Sequence, residues 1–375
     1  MSPPTFRPIR AGAAHAANQG QRLRVLVVDD SVVMRRLVSR VLEPIPELEL
    51  VGSAGTGKAA LDRIPQLKPD LITLDIEMPE MDGLTAARAI RERFPSVRII
   101  MCSTLTQRGA AITLEALASG ADDYVTKPSG DDSLDVSIET LRGQLVPKVR
   151  QFLRRSEPAA GPGLRMEGAR IVRPPSPGAP NRKRDVVAVA SSTGGPVALS
   201  TVIPGLPRDF HAPILVVQHM PPMFTSLLAE RLNTQTHLRV VEAKEGMLVE
   251  RGAVYIAPGD YHMVVRRAQT HVVIGLTRGE PENSCRPAAD VLFRSVAEVY
   301  GPSVVGVVLT GMGNDGMRGA AQMRQGGAWV VAQDEASSVV WGMPGSVVGA
   351  GLADRILPLA DIPSEISLRF AGRPA

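Results

Sequence analysis

The sequence predicts two α/β domains in tandem, an N-terminal doubly wound, flavodoxin-like domain and a C-terminal doubly wound α/β domain. Three observations lead there. Short apolar runs suited to strands buried on both faces alternate with helix-length stretches along most of the chain. That rhythm breaks once, between residues 154 and 184, where Pro and Gly mix with Arg and Lys. A length of 375 residues also exceeds what one ordinary core organises.

Residues 1–21 are rich in Pro, Ala and Gly without an apolar period, and are expected to form a disordered lead-in. The first domain is expected over residues 22–145. Val25–Val28, Leu71–Leu74 and Val97–Met101 read as its strands, with Ser31–Glu43, Leu84–Arg93 and Ala110–Ser119 as helices. Residues 146–184 should hold a helix end and a solvated linker. The second domain, residues 185–370, resumes the alternation with strands at Val186–Ala190, Ile214–Val217, Ala253–Ile256, His262–Val265, Val304–Leu309 and Ala328–Ala332.

Composition narrows the function classes. Hydrophobic residues make up 44% and charged residues 21%, so a soluble globular core is affordable, while only 3% aromatics argues against base-stacking platforms. A net charge of +4 with scattered Arg does not point to nucleic acid. Cys102 and Cys285 form neither a disulfide framework nor a zinc motif. No run approaches a membrane span, and Ala11–Ala17 lacks the apolar core of a signal peptide, so a cytoplasmic, non-membrane-embedded protein is expected.

In a doubly wound sheet, functional groups collect just beyond the carboxyl ends of the strands. Asp29 and Asp30 follow the first strand, Asp75 the third, Ser103 the fourth, and Lys127, before Pro128, the fifth. Three carboxylates at one edge repel unless a cation neutralises them, and hard oxygen donors suit Mg2+. A hydroxyl and an ammonium nearby can hold phosphoryl oxygens. Any one of these is equally a solvated turn residue; the ordered set at the ends of four strands is not. The stretches LRVLVVDDS, LITLDIEMPEMDG, IIMCST and DDYVTKP make residues 23 to about 145 similar to the response-regulator receiver domain. The resemblance implies that Asp75 accepts a phosphoryl group from a histidine kinase. It further implies that Asp29, Asp30 and Asp75 hold Mg2+, and that Ser103 and Lys127 are the switch and phosphate contacts, with Tyr124 either a switch aromatic or a packed residue. The run Gly52–Ala59 imitates a nucleotide-binding loop, but Ala59 stands where a Mg2+-ligating hydroxyl is required, so it reads as a Gly-rich turn.

In the second domain, Ser192 sits between a strand and a helix in Ser191-Ser192-Thr193-Gly194-Gly195-Pro196. Glycines there allow close approach of a substrate, and free helix-terminal N–H groups can face an oxyanion. Position 190 is Ala, so this is not the G-x-S-x-G elbow, and an N-cap turn explains the run equally well. Of six histidines, His219 follows a second buried strand, whereas His15 lies in the lead-in, His211 and His237 in loop-like sequence, and His262 and His271 at strand edges. Asp315 lies in Leu309-Thr310-Gly311-Met312-Gly313-Asn314-Asp315-Gly316, again past a strand. Together they can form a Ser-His-Asp relay, but each has an ordinary turn or core reading, and the chain order matches no familiar hydrolase.

SSTGGP, QHMPPMF, VYIAPGDYHM, RPAADVLF, VVLTGMGNDG and AQDEASSVVWGMPG make residues 185 to about 360 resemble the protein-glutamate methylesterases of bacterial chemotaxis, the CheB family. The resemblance implies that Ser192 is the nucleophile, His219 the base and Asp315 its orienting acid, with the backbone N–H groups of Thr193 and Met312 as oxyanion donors. The implied reactions are hydrolysis of glutamyl methyl esters on chemoreceptors, the substrate partners, and deamidation of glutamines, without a cofactor for the hydrolysis. The chain departs from the family at Ala190, where many members have Gly, and at Asn283-Ser284-Cys285, where many have Asn-Gly-His. If the loop of the second departure touches the receptor helix, substrate preference is affected while the triad is not, and Cys285 is expected to be a plain loop cysteine with no base nearby. The unphosphorylated receiver is expected to cover the Ser192 cleft. Alternatives are a non-catalytic response-regulator scaffold, an esterase with another substrate, and a DNA-binding output domain. The last lacks any recognition-helix candidate.

Overall fold

The computed structural model describes residues 22–128, 133–153 and 184–370. The expected lead-in and most of the expected linker lie outside them. The first sheet carries β1 (Leu23–Val28), β2 (Leu48–Ala54), β3 (Leu71–Asp75), β4 (Arg98–Ser103) and β5 (Asp123–Thr126). Its helices are α1 (Val32–Leu42), α2 (Gly57–Leu67), α3 (Gly83–Arg93), α4 (Gln107–Ala118) and α5 (Leu134–Leu153). The strand order is β2-β1-β3-β4-β5, and every pair is parallel. Ser31, Thr56, Asp82 and Thr106 each cap the helix that follows by accepting a backbone N–H, so local chemistry sets these helix starts. Thr56 lies inside the imitation nucleotide-binding loop, which is a capping turn here. At the end of α3's leading turn, Gly83 is irreplaceable, since a Cβ there would lie 1.9 Å from the Asp75 carbonyl oxygen.

The second domain holds β6 (Val186–Ser191), α6 (Gly195–Val202), β7 (Ile214–Gln218), α7 (Phe224–Gln235), β8 (Arg239–Glu242), β9 (Ala253–Ile256), β10 (His262–Ala268) and β11 (His271–Thr277). It continues with α8 (Ala289–Tyr300), β12 (Val304–Val308), α9 (Met317–Gln325), β13 (Trp329–Gln333), α10 (Gly342–Gly349), β14 (Arg355–Leu357) and α11 (Ile362–Phe370). Seven strands form a parallel sheet in the order β14-β13-β12-β6-β7-β9-β8. β6, β7 and β12 are buried on both faces, which explains why each reads as an unbroken apolar run. Both sheets are therefore the doubly wound type the alternation predicts. One strand departs from it: the run beginning at His262 belongs not to the parallel sheet but to a separate antiparallel hairpin of β10 and β11.

The two domains share apolar surface. Leu114, Leu117 and Tyr124 of the first join Leu199, Phe224 and Leu228 of the second in one buried cluster, while Val149 and Phe152 of α5 join Val340 in another. Tyr124 stacks on Phe224 with ring centroids 4.8 Å apart and planes 12° from parallel. This seam places β5 and α5 of the first domain against the carboxyl edge of the second sheet.

Candidate active site

At the carboxyl edge of the first sheet, Asp29, Asp30 and Asp75 bring ligand oxygens within 4.8 Å of one another. Lys127 Nζ bridges two of them, 2.8 Å from Asp29 Oδ2 and 2.7 Å from Asp75 Oδ1. Burial pushes the Asp75 carboxyl up to about 6; the hydrogen bond from Lys127 opposes this and the charge of Asp29 adds to it. Burial would lower the Lys127 pKa, but its bonds to Asp29 and Asp75 outweigh that and raise it. One ammonium thus pairs with two of three clustered acids, and this all-oxygen donor set fits a hard divalent cation such as Mg2+. Ser103 is buried nearby, where its Oγ accepts a 2.7 Å hydrogen bond from Thr113 of α4 rather than contacting Asp75. Tyr124 is a packed residue of the domain seam.

At the edge of the second sheet, β6, β7 and β12 run side by side, so the residues just past their ends converge. Ser192 N donates to Thr310 O at 3.0 Å, and Gln218 Nε2 donates to Ser192 O at 2.9 Å. Thr310 Oγ1 donates to Thr193 O at 2.9 Å. The Ser192 turn is therefore held from both neighbouring strands. Gly195 lets the Gln218 amide close in on the turn, because a Cβ there would lie 1.9 Å from Gln218 Oε1 and would displace it. Among the described residues, neither the N–H of Thr193 nor that of Met312 has an acceptor, which leaves both open to an incoming oxyanion.

Asp315 is the most heavily bonded side chain of the site. Its Oδ2 accepts from His219 Nε2 at 2.8 Å and Ala289 N at 2.6 Å. Its Oδ1 accepts from Asp290 N at 3.0 Å, Gly316 N at 3.0 Å and Asn283 Nδ2 at 2.8 Å. Two of these donors are the leading amides of α8, whose N-terminus favours a carboxylate. Burial would raise the Asp315 pKa, but the His219 bond and the backbone donors lower it overall. For His219, burial acts to lower the pKa, and hydrogen bonding to Asp315 and Cys285 overrides it, so the imidazolium is favoured.

Ser192, His219 and Asp315 line one cleft of about 720 Å³, together with Tyr124, Thr126, Gln144 and Lys148 of the first domain. The His–Asp link is closed. The Ser–His link is not made in this state: Ser192 Oγ has no hydrogen-bond partner among the described residues, and His219 Nδ1 faces Cys285 Sγ at 3.5 Å. Catalytic hydrogen bonds are often long before substrate binds. One expectation is corrected here: Cys285 has a base beside it. The Asn283–Cys285 loop also touches His219 and Asp315 directly, because a reversal at Asn283 and Ser284 folds the chain back onto that pair. His262 is structural, as expected from its strand edge, with Nε2 on Glu280 O and Nδ1 accepting from Ala288 N. The sequence reading also missed Gln218, whose only signal is a buried polar residue ending an apolar strand, and Asp123, whose Oδ2 accepts from Thr193 Oγ1 at 2.6 Å across the seam.

The thiol position has a consequence. Iodoacetamide should add one carbamidomethyl group at Cys285 and abolish ester hydrolysis, since the adduct must occupy the space beside Nδ1. Cys102, only 2% exposed, should not react. A Cys285→Ala variant should be insensitive to the reagent, and adduct mass with residual activity checks both points.

Together the two sheets define a response regulator in which a receiver is coupled to an α/β hydrolytic domain. Family models agree, matching a response regulator receiver domain over residues 25–139 and CheB methylesterase over residues 187–366. The chain is 47% identical over 349 residues to a protein-glutamate methylesterase/protein-glutamine glutaminase of Trichodesmium erythraeum (strain IMS101), covering 93% of this chain and 99% of that protein. It is 49% identical over 351 residues to the protein of the same description from Nocardioides sp. (strain ATCC BAA-499 / JS614), covering 93% and 96%. The crystal structure of the Thermotoga maritima CheB methylesterase catalytic domain is also similar, at 44% identity over 50% of this chain and 98% of that one, with a TM-score of 0.48. The chain belongs to the CheB methylesterase family.

Proposed function

We propose that this protein hydrolyses glutamyl methyl esters and deamidates glutamines on chemoreceptors, through Ser192, and that phosphorylation of Asp75 releases the activity. The observation that carries the reading is the 2.8 Å bond from His219 Nε2 to Asp315 Oδ2 in a cleft that also holds Ser192. With Nε2–H on Asp315, Nδ1 is the basic nitrogen. It takes the Ser192 proton as Oγ attacks the ester carbonyl, while the N–H groups of Thr193 and Met312 receive the negative oxygen. The imidazolium returns that proton to the leaving oxygen, and methanol departs. Water, deprotonated by the same nitrogen, then cleaves the acyl-serine to glutamate. On a glutamine side chain the leaving group is ammonia.

The substrate must be reached through a cleft whose other wall is the receiver. Among the described residues no helix is long and apolar enough to cross a membrane. A histidine kinase is the phosphodonor to Asp75. Asp29, Asp30 and Asp75 would hold Mg2+, which when bound would offset the charge of the incoming phosphoryl group. Lys127 and Ser103 are the contacts for that group. A Ser103 hydroxyl turned toward it would give up the bond from Thr113 of α4, the helix that packs on the second domain.

The test is methanol release from receptor-bearing membranes carrying labelled methyl esters, with and without a small phosphodonor; equal rates would remove the regulatory part. A variant isolates the seam. Thr193 Oγ1 donates to the buried Asp123 carboxylate only when the domains are docked. Such a charge-assisted bond contributes about 1.5–3 kcal/mol. Asp123→Ala, which removes the acceptor from the receiver side and leaves the Thr193 oxyanion donor untouched, should therefore shift docking by roughly 10- to 100-fold. The unphosphorylated rate should rise about tenfold or more, and the phosphodonor should add little. An unchanged basal rate would show that the seam does not gate the cleft.

A further inference from the structure

We infer that Asn283 is a positioning residue for the reaction: its amide fixes the Asp315 carboxylate by standing between it and a second buried acid, Asp290. The inference rests on the triad reading and adds a residue to it. Asn283 Nδ2 donates to Asp315 Oδ1 at 2.8 Å and to Asp290 Oδ2 at 3.0 Å, using both of its N–H bonds. Asp290 is fully buried and Asp315 is 2% exposed. Without a donor between them, two carboxylates would confront each other out of water, and the cheapest relief is protonation or rotation of one. Either change loosens the partner of His219.

The turn that carries Asn283 is built for this. Glu282 and Cys285 exchange backbone hydrogen bonds of 3.1 and 2.9 Å, with Asn283 and Ser284 at φ of 53° and 61° between them. Two successive left-handed residues are the signature of a type I′ reversal, where Asn is among the few tolerated side chains. Ion pairs staple both ends: Glu282 to Arg294 of α8, at 2.7 and 2.5 Å, and Arg286 to Asp260, at 3.1 and 2.6 Å. One short reversal thus sets an amide on Asp315 and a thiol on His219.

Two variants separate the amide from the turn. Asn283→Gly keeps the left-handed backbone and removes the donor. Asn283→Asp keeps the shape and replaces donor by acceptor. The charged and titratable groups around that position are Asp290, Asp315, His219 and Cys285, with Glu282 held by Arg294 and Arg318 adding positive charge toward Glu282. Methanol release from labelled receptor membranes is measured for the full-length wild type, both variants and Ser192→Ala at equal folded concentration, across pH. For Asn283→Gly, kcat should fall about 10- to 100-fold with KM little changed. For Asn283→Asp, the deficit relative to wild type should be largest at alkaline pH and shrink as pH falls. There the new carboxyl takes a proton and can again donate to Asp315. A wild-type kcat for Asn283→Gly, or an Asn283→Asp deficit that is the same at every pH, overturns the inference. A Ser192→Ala protein as active as wild type would instead bring down the triad reading, and the positioning role with it.

Discussion

Ser192→Ala should release no methanol above background, a fall in kcat on the order of 10⁶-fold, the scale seen when a serine hydrolase loses its nucleophile. The loss should come without loss of the fold. Ser192 Oγ makes no hydrogen bond among the described residues, while the turn is held by main-chain atoms: Ser192 N on Thr310 O, and Gln218 Nε2 on Ser192 O. Removing the hydroxyl therefore leaves every such bond in place, and stability should change by no more than about 0.5 kcal/mol. Thermal melting checks the fold, labelled methanol checks the chemistry, and the wild type mixed with substrate and quenched early should carry an acyl mass on the Ser192 peptide that the variant lacks. A variant that kept substantial activity would mean that another nucleophile works in the cleft. Cys285 is then the group to test, since it already faces the His219 Nδ1 nitrogen.

How much of this was legible beforehand divides along a physical line. The parallel strands were readable because burial on both faces leaves mostly apolar side chains in β1, β3, β6, β7 and β12, with few polar residues inside them and most just past their ends. Asp29, Asp75, Ser192 and His219 stand at those ends, so the sheets themselves point to the sites. The hairpin of β10 and β11 was not readable as such. Its turn is Gln269-Thr270, without the Asn-Gly or Asp-Gly pair that signals a two-residue reversal, and Gln269 is simply forced to a φ of 54°. The roles of Asn283 and Cys285 were hidden for another reason. They depend on a reversal whose ends are fixed by Arg294 and Asp260, residues distant in sequence, and spacing carries no trace of that. Asp123 was hidden similarly: it reads as one more acid of DDYVTKP until the second domain supplies Thr193. The chain's pattern thus locates strand ends, while contacts between loops and between domains require the assembled structure.

Asp315→Asn should lower kcat by about 10⁴-fold, the magnitude known for the same change in a Ser-His-Asp protease, and its direction follows from the donors around the carboxylate. An amide has one nitrogen to place. At the Oδ1 position it would meet three donors, from Asn283, Asp290 and Gly316; at the Oδ2 position it would meet Ala289 N and His219 Nε2. The second arrangement leaves fewer donors opposed, so the new N–H₂ group should face His219. Nε2 can then stay in place only by giving up its proton, and the neutral imidazole carries its hydrogen on Nδ1 instead. That nitrogen is the one needed to receive the Ser192 proton, so the base is present but in the wrong tautomer. The pH profile should reveal this. In the wild type, Asp315 favours the imidazolium, and the rate should rise with pH as His219 gives up that proton. Without the carboxylate, the His219 pKa should drop and the rise should move to lower pH, although the plateau is far lower. Nitrogen-15 spectra of the imidazole would read the tautomer directly. An Asp315→Asn protein with near-normal kcat and an unmoved profile would show that His219 is oriented by something other than this carboxylate.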